Sequence, residues 1–382
     1  MSSPRTSDLR TMSDSWLAPL SVDLVLKVLY VTLLHPFVCF MIPLCLRARA
    51  VEWDAPWMIA SFAWATVVTM GWAAASVNRR LAYGRPREID LSEEVIVITG
   101  GAGGMGLLLA EVYGMRGATV AVLDVNDMEN CEARGVTHYR CDVGDKDQVA
   151  EAAREIEKEV SLTWSGGRSA GWERLTDMRK QLGTPTILVN NAAIVVGKSM
   201  LDLSMEDVDR SLRTNMMAPF YCIKTFLPAM IRNGRGGTIV NVSSVLGHLG
   251  AAHLSDYAAA KAGMTAMHKS LAAELRSSHP DIRMLLVTPG QLTTPLFYGV
   301  TTPNSFVAPA VEPVDVVKEI VTLIDEGMGG SIGTPLYARW IDWYNVLPAA
   351  VQIMARSLAG VDKGMLTYKG RAGLRREREE KS

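Results

Sequence analysis

The chain contains few of the residues that hold disulfide-rich domains or metal centres together. It has only five cysteines in 382 residues, and none of them is spaced as a CxxC pair or a set of zinc ligands. An odd number of scattered cysteines is typical of reduced thiols in a cytosolic compartment. The cysteine pattern therefore predicts neither a disulfide framework nor a bound metal.

An excess of charge of either sign is also lacking. The formal net charge is −1, so the composition gives no reason to expect a nucleic-acid partner, which calls for a strongly basic surface. No internal repeat is visible. Because 48% of the residues are hydrophobic and the chain exceeds the roughly 250 residues of one large α/β domain, we expect one core domain and additional apolar segments.

The additional length begins with two apolar segments near the N-terminus. Residues 55–77 carry no charge and are long enough to cross the roughly 30 Å hydrocarbon core as a helix. Residues 24–46 are also apolar but contain Lys27, Pro36 and Pro43, which leaves open a second span or a bent, re-entrant arm. The sequence predicts a membrane-anchoring region over residues 1–90, and a soluble helical subdomain is the alternative.

Arginines flank these segments unevenly. Four follow the second segment and two lie between the segments: Arg79, Arg80, Arg85 and Arg87 against Arg47 and Arg49. Because positive charge accumulates on the cytoplasmic side of a membrane, the excess predicts that the rest of the chain faces the cytosol.

A glycine-rich turn follows at Thr99–Gly106, with the sequence TGGAGGMG. The apolar run before it predicts a strand, and the pattern after it predicts a helix that begins near Gly104. Gly100, Gly104 and Gly106 would let the backbone turn sharply and approach a pyrophosphate, whose charge then faces the free amides of the helix. A flexible loop is the alternative, but the surrounding strand and helix favour a dinucleotide site.

Asp124 ends the second predicted strand, at the position where a carboxylate hydrogen-bonds the adenosine ribose. The same charge would repel the 2′-phosphate of NADP, and neither Val125 nor Asn126 supplies a cation for it. The sequence therefore favours NAD over NADP as cofactor, although an exposed loop acid would also be ordinary here.

Tyr257 and Lys261 lie four positions apart in YAAAK, and this spacing places both side chains on one face of a helix. A nearby ammonium lowers the pKa of a phenol and makes it a better base. Ser244 ends the apolar run TIVNVSS, which predicts a buried strand that leads into the same site. By spacing alone, a surface tyrosine–lysine pair remains the alternative.

Residues 94–330 resemble a classical short-chain dehydrogenase/reductase, because TGxxxGxG, NNA, a central asparagine, the serine, YxxxK and PG occur in family order. The resemblance implies that Tyr257 is the general acid/base, that Lys261 lowers its pKa and binds the nicotinamide ribose, and that Ser244 orients the carbonyl. Asn215 would anchor a water relay to Lys261. The implied cofactor contacts are Gly100, Gly104, Met105, Gly106, Asp124, Asp142, Val143, Asn191, Tyr257, Lys261, Leu292 and Thr294. Ala193 departs from the usual glycine after NNA, and Leu292 replaces the usual Val or Ile.

These motifs predict an α/β fold: a single Rossmann-type, doubly wound parallel sheet in residues 91–335, preceded by the N-terminal membrane-associated helical segment. Residues 161–183 predict a surface elaboration. Residues 336–382 would form an apolar segment that closes the pocket or lies on a bilayer, followed by a charged tail.

Anchoring and the apolar C-terminal segment narrow the resemblance to the branch of retinol and 17β-hydroxysteroid dehydrogenases. This resemblance implies a membrane-associated NAD(P)-dependent oxidoreductase that interconverts a lipophilic alcohol and its ketone or aldehyde. It also implies an anchor in the endoplasmic reticulum or a lipid droplet, and a possible homodimer. A non-catalytic tethered cofactor-binding protein and a soluble carbonyl reductase stay open as alternatives.

Overall fold

The computed structural model describes residues 21–128, 135–164, 183–300, 306, 308–370, 373–374, 376 and 380. The chain divides into two compact units. The larger includes residues 86–300 and 308–370, and the smaller includes residues 21–85 and Phe306. The predicted insertion at residues 161–183 lies mostly outside the described residues, and the predicted domain boundaries stay predictions.

A seven-stranded parallel sheet forms the centre of the larger unit, in the order β3-β2-β1-β4-β5-β6-β7. The strands are β1 (Val95–Thr99), β2 (Thr119–Asp124), β3 (Val136–Arg140), β4 (Ile187–Asn190), β5 (Gly237–Val242), β6 (Ile282–Pro289) and β7 (Gly330–Thr334). The order reverses between β1 and β4, and ligands bind beyond the carboxyl ends of strands at such a switch point. The predicted doubly wound fold is confirmed.

Helices cover both faces of this sheet. They are α4 (Gly104–Met115), α5 (Lys146–Trp164), α6 (Met205–Leu212), α7 (Ala218–Asn233), α8 (Leu246–Leu249), α9 (Ser255–Ser278), α10 (Pro313–Asp325), α11 (Leu336–Arg339), α12 (Ile341–Tyr344) and α13 (Ala349–Ala359). A π-helical turn at Arg213–Met217 joins α6 to α7. The predicted apolar C-terminal segment is thus three short helices.

Alternate residues of the strands enter two separate cores. Val95 and Val97 of β1 pack with α5 and α7 residues, whereas Ile96 and Ile98 pack against α4 and α10. Side chains of a strand point alternately to opposite faces of the sheet, so a strand covered on both faces is apolar throughout. This explains why the strands are continuous apolar runs in the sequence.

The smaller unit contains the helices α1 (Val22–Val31), α2 (Pro36–Ala48) and α3 (Pro56–Tyr83). The predicted segment 24–46 is two helices that meet at a bend of 59°. Pro36 begins the second of them, where a proline needs no helical hydrogen bond. The predicted segment 55–77 is a single helix, the one long and apolar enough among the described residues to cross a membrane, with 17% of its most apolar stretch buried.

Two tryptophans of α3 hold the bend between α1 and α2. The indole N–H of Trp64 donates to Leu33 O at 3.1 Å, and that of Trp72 donates to Leu34 O at 2.9 Å. The ring of Trp72 also stacks on Tyr30 at 5.0 Å between centroids. Carbonyls at a helix break lack helical partners, and these indoles supply donors to two of them in an apolar surrounding. Leu33 O also accepts from Cys39 Sγ at 3.0 Å.

In the larger unit, a buried chain of amides links two central strands to α9. Asn190 Nδ2 donates to Asn241 Oδ1 at 2.8 Å, and Asn241 Nδ2 lies 3.0 Å from His268 Nδ1. All three side chains are buried. Since the Asn241 amide is a donor, His268 Nδ1 must accept and therefore be unprotonated. Burial lowers the pKa of His268 to about 4, with a smaller contribution from Lys269 in the same direction.

We predict that His268 makes the protein sensitive to acid between pH 6.5 and pH 4. The unfolded chain binds a proton at His268 below its ordinary pKa of about 6.5, whereas the folded chain resists protonation down to about pH 4. The free energy of unfolding therefore falls as the pH drops through this window, by at most about 3 kcal/mol. Urea unfolding of His268→Gln, which keeps an acceptor for Asn241, should show a smaller loss. His279→Gln is the control, and an acid loss of wild-type size in His268→Gln would contradict the prediction.

Candidate active site

The glycine-rich turn lies between β1 and α4, as predicted. Gly100 and Gly104 have φ angles of 66° and 59°, in the left-handed region that favours glycine. A Cβ on Gly106 would lie 2.4 Å from Gly100 O, so only glycine allows α4 to approach the turn this closely. A Cβ on Gly103 would meet no atom within 4 Å. The outer side of the turn is open at the helix N-terminus, and the pyrophosphate of a dinucleotide fits such a cradle.

Asn191 and Thr99 hold this turn against the end of β4. Asn191 Nδ2 donates to Thr99 O and to Gly100 O, each at 3.0 Å. The Thr99 hydroxyl accepts from the backbone N–H groups of Asn191 and Ala192 at 3.0 and 3.1 Å. In this structure, Asn191 therefore fixes the glycine-rich turn, which would lie against the cofactor.

Asp124 also holds the turn. Its Oδ2 accepts from Ala102 N at 3.0 Å, and its Oδ1 accepts from Asn126 N at 2.9 Å and from Asn126 Nδ2 at 3.0 Å. A carboxylate has about four acceptor positions, so one remains for a ribose hydroxyl. The neighbouring Val125 is 49% exposed, which makes position 125 open to a longer side chain.

The remaining predicted cofactor residues surround the same edge of the sheet. Asp142 Oδ1 accepts from Gly144 N at 2.9 Å, and Val143 is buried beside it. Leu292 forms a parallel bridge with Val311. Thr294 is buried, and its Cγ2 would lie 3.9 Å from a Cβ on Gly104. The PG loop of β6 therefore lies next to the glycine turn. Met105 was also predicted to contact the cofactor. It lies in the first turn of α4, and its side chain is buried in the core on that face of the sheet.

Three consecutive residues that begin at the end of β5 contact α9. Val242 O accepts from Lys261 Nζ at 2.7 Å. The Ser243 hydroxyl donates to Lys261 O at 3.0 Å and lies 2.7 Å from Thr265 Oγ1. The Ser244 hydroxyl accepts from Leu246 N at 3.2 Å and lies beside the Tyr257 hydroxyl, whose pKa it lowers. Strand and helix are thereby locked in one register, with the serine, tyrosine and lysine brought together.

The predicted catalytic groups are all buried. Lys261 Nζ lies 5.7 Å from the centre of the Tyr257 ring. Burial raises the pKa of Tyr257 above its ordinary value near 10, and the hydrogen bond with Ser244 lowers it by a smaller amount. Burial alone lowers the pKa of Lys261 to about 7. The lowering of the Tyr257 pKa by Lys261 stays a prediction, since burial dominates here.

Asn215 lies in the π-helical turn and is fully buried. Its Oδ1 accepts from Ile194 N at 3.0 Å, and its Nδ2 donates to Ile194 O at 2.9 Å and to Ser211 Oγ at 3.1 Å. The amide thus holds the chain that leaves β4, next to the NNA motif. π-Helical turns are frequent at functional sites, but the relay to Lys261 stays a prediction.

Ser244 opens onto a cleft that is lined mostly by apolar groups. The larger apolar side chains that line this cleft come from four parts of the chain and include Leu246, Leu249, Leu254, Phe297, Val300 and Met365. Pockets that are lined mostly by apolar side chains, with a few polar groups, hold apolar ligands. A substrate oxygen near Ser244 and Tyr257 would therefore belong to a mostly hydrocarbon molecule.

Sequence reasoning missed Phe297 and Ser243. The Phe297 ring meets the Tyr257 ring edge-on at 6.0 Å between centroids and lines the cleft. Its signal was an aromatic residue soon after the PG motif. Ser243 was hidden in the pair SS, because only the contacts of the folded chain distinguish the serine that faces Lys261 and Thr265 from the one that faces Tyr257.

This fold and this arrangement of side chains define a nucleotide-dependent oxidoreductase. A model of the short chain dehydrogenase family matches residues 94–166 and 167–304. The chain belongs to the short-chain dehydrogenase family. It is therefore an enzyme, an NAD(P)-dependent oxidoreductase of alcohols and carbonyl compounds.

Several characterised relatives are similar over most of their length. Human retinol dehydrogenase 10 is 31% identical over 301 residues, which cover 74% of this chain and 87% of that protein. Mouse epidermal retinol dehydrogenase 2 is 31% identical over 271 residues, or 68% of this chain and 80% of that protein. The similarity to a retinol dehydrogenase type of enzyme, expected from the apolar N-terminal and C-terminal segments, is confirmed.

Among solved structures, the ligand-free aldohexose dehydrogenase of Thermoplasma acidophilum is similar, with a TM-score of 0.51 and 24% identity. The likeness covers 64% of this chain and 93% of that one. It supports the fold of the larger unit.

Proposed function

We propose that this protein is a membrane-associated, NAD(P)-dependent oxidoreductase that interconverts a lipophilic alcohol and its ketone or aldehyde, with Tyr257 as the general acid/base. The observation that carries the proposal is the buried contact of Tyr257 with Ser244, beside Lys261 and at the edge of an apolar cleft.

The glycine turn, Asp124 and Thr294 would hold the dinucleotide. A bound nicotinamide supplies or accepts the hydride at the carbonyl carbon. During reduction, the Tyr257 O–H donates its proton to the substrate oxygen, and during oxidation the tyrosinate takes the alcohol proton. The Ser244 hydroxyl hydrogen-bonds the same oxygen and stabilises the charge that develops on it. One proton and one hydride thus convert the carbonyl into the alcohol.

Lys261 supports the charge change at Tyr257. With a pKa of about 7, the amine is partly protonated at neutral pH, even though it is buried. A tyrosinate and an ammonium attract each other strongly in a medium of low dielectric. Each charged form is therefore more stable beside the other than it would be alone. Lys261 would therefore be most strongly protonated when Tyr257 has lost its proton.

The lipophilic substrate is inferred from the cleft and supported by the relatives. Its lining is mostly apolar, which suits a retinoid, a sterol or a fatty-chain alcohol better than a small polar one. Two relatives carry the name retinol dehydrogenase. Retinoids are accordingly the first class of substrate to test.

Membrane association is inferred from α3 and from the C-terminal segment. The helix α3 exposes large apolar side chains along its length, among them Trp57, Ile59, Val67 and Met70. In the larger unit, nine exposed large apolar side chains lie within residues 340–366: Trp340, Trp343, Val346, Leu347, Val351, Ile353, Met354, Leu358 and Leu366. Exposed apolar surface of this extent is typical of a membrane or protein contact.

The proposed orientation rests on fewer arginines than the sequence suggested. Arg87 is buried in the larger unit, where its guanidinium donates to both oxygens of Glu94 at 3.0 and 2.9 Å. Arg79, Arg80 and Arg85 remain beside the second apolar segment and still favour a cytosolic catalytic domain.

We further propose an anchor in the endoplasmic reticulum or a lipid droplet, and a homodimer formed through α7 and α9.

The catalytic proposal predicts that Tyr257→Phe lowers kcat by at least about a hundredfold, because the ring stays but the transferable proton is lost. Steady-state oxidation of retinol with NAD and with NADP in detergent measures this effect. Tyr113→Phe is the matched control, since Tyr113 is a buried tyrosine whose hydroxyl has no hydrogen-bond partner among the described residues. A kcat within a few-fold of wild type for Tyr257→Phe would refute the assignment.

We infer a preference for NAD, and it can be tested by two variants at the end of β2. Val125→Arg adds a cation and leaves the bonds of Asp124 to Ala102 and Asn126 intact. Asp124→Ser combined with Val125→Arg also removes the carboxylate. We expect kcat/KM for NADP relative to NAD to rise modestly in the first variant, and by roughly a hundredfold or more in the second, as for close charge pairs. A wild type that prefers NADP would contradict the inference.

The anchor predicts that the full-length protein remains in the membrane fraction after carbonate washing. Val67 and Met70 are 61% and 67% exposed on α3, and a lysine near the middle of a span disfavours insertion by about 3 kcal/mol. Val67→Lys with Met70→Lys should therefore move the protein to the supernatant. Met115→Lys with Leu201→Lys, at exposed positions of the larger unit, is the control. Wild-type protein found in the supernatant without detergent would refute the anchor.

A further inference from the structure

Arg356 makes an unusual set of contacts for a residue on an apolar helix. It is the only charged residue of α13, whose sequence is AAVQIMARSLA. Its Nε and Nη2 donate to the two carboxylate oxygens of Asp362. Its Nη1 donates to Leu249 O at 2.7 Å and to Gly250 O at 3.3 Å. One guanidinium thus binds a carboxylate in the two-pronged geometry that favours arginine and caps α8 at the same time.

Asp362 contacts the same loop from its own side. Its Oδ1 accepts from Ala252 N at 3.2 Å, so both members of the ion pair are bonded to the backbone between α8 and α9. Their mutual attraction raises the pKa of Arg356 and lowers that of Asp362. The pair is only partly exposed, with 25% of the Arg356 side chain and 44% of the Asp362 side chain accessible.

The two segments that the pair joins form two walls of the cleft. Leu249 and Ala251 line it from the loop that leads to Tyr257, and Gly360 and Val361 line it from the turn after α13. Arg356 and Asp362 do not themselves line the cleft. A change at either residue would therefore act on a bound molecule only through the positions of these walls.

We propose that the Arg356–Asp362 pair is a positioning device that holds the C-terminal wall of the cleft against the loop before Tyr257, and so selects for large lipophilic alcohols. The inference rests on the proposed function. A large substrate touches both walls and loses contacts when they separate. A small alcohol, held near Ser244 and Tyr257, touches neither wall and is turned over at the same rate with or without the pair.

The test compares oleyl alcohol with isopropanol in full-length protein. Arg356→Met and Asp362→Asn should each raise KM for oleyl alcohol by roughly five- to tenfold, the range of coupling energies for contacting groups, while kcat for isopropanol changes less than about twofold. The double variant should be no worse than the worse single variant, because both remove one interaction. Arg356→Lys, which keeps the charge but not the fork, should recover only part of the selectivity.

A matched control separates positioning from general stability. Arg116→Met removes the ion pair between Arg116, the residue after α4, and Asp325 at the end of α10. This pair is similarly exposed and lies outside the cleft lining. Equal losses of kcat/KM for both alcohols, the same selectivity change in Arg116→Met, or unchanged KM values in both Arg356→Met and Asp362→Asn would overturn the proposal.

A second measurement is independent of turnover. The Ala252 N–H donates a hydrogen bond to Asp362 Oδ1. Hydrogen exchange of this amide should accelerate at least about tenfold in Asp362→Asn and in Arg356→Met, and it should stay unchanged in Arg116→Met. Unchanged exchange in the first two variants would overturn the proposal, even if the wild type oxidised neither alcohol. Faster exchange in these two variants, together with a wild type that oxidises neither alcohol, would refute the proposed function and with it the selection of substrates, while it would support the coupling of the two walls.

Discussion

The lock between the end of β5 and helix α9 is the interaction on which the site depends. Three residues in a row contact α9. Val242 O accepts from Lys261 Nζ, and the Ser243 hydroxyl contacts Lys261 O and Thr265. The Ser244 hydroxyl lies beside Tyr257. Ser243 and Ser244 directly follow the end of β5, and the three contacts use a backbone oxygen and two hydroxyls that face different residues of α9. A shift of α9 by one residue would break all of them together, because each needs its own position along the helix.

Burial gives this lock its chemical consequence. Water would stabilise a charge on Tyr257 or on Lys261, and the enclosed site withholds that stabilisation, which raises the pKa of the phenol and lowers that of the amine to about 7. Each group therefore disfavours its own charge. The proposed role of Lys261 makes the two groups a coupled pair, in which a charge on one favours the opposite charge on the other. A proton relay in such a site changes charge with little reorganisation of solvent.

The sheet, the glycine turn and the tyrosine–lysine pair were predictable, because apolar runs, glycines and a four-residue spacing are local signals. The double role of Asp124 was not, since its bond to Ala102 joins residues that are adjacent only after β1 and β2 pair. The burial of Arg87 was missed for a similar reason: in the sequence it is one of four arginines beside an apolar segment, and only its partner Glu94 separates it from them. The bend between α1 and α2 was one of two alternatives, which Pro36 alone did not decide.

The segment of residues 340–366 is apolar on both sides, since Met365 faces the cleft while Trp343, Ile353 and Leu358 face outward. Away from the Arg356–Asp362 pair and the other charged residues of this segment, a hydrocarbon that passes through this wall meets apolar side chains. For a lipophilic substrate, the quantity that sets occupancy of the cleft is then its mole fraction in the lipid or detergent around the protein. An apparent KM that is expressed per volume of buffer would therefore change when lipid or detergent is added, although the affinity of the cleft stays constant. Rates measured in different micelles can be compared only after correction for the partition of the substrate between micelle and buffer.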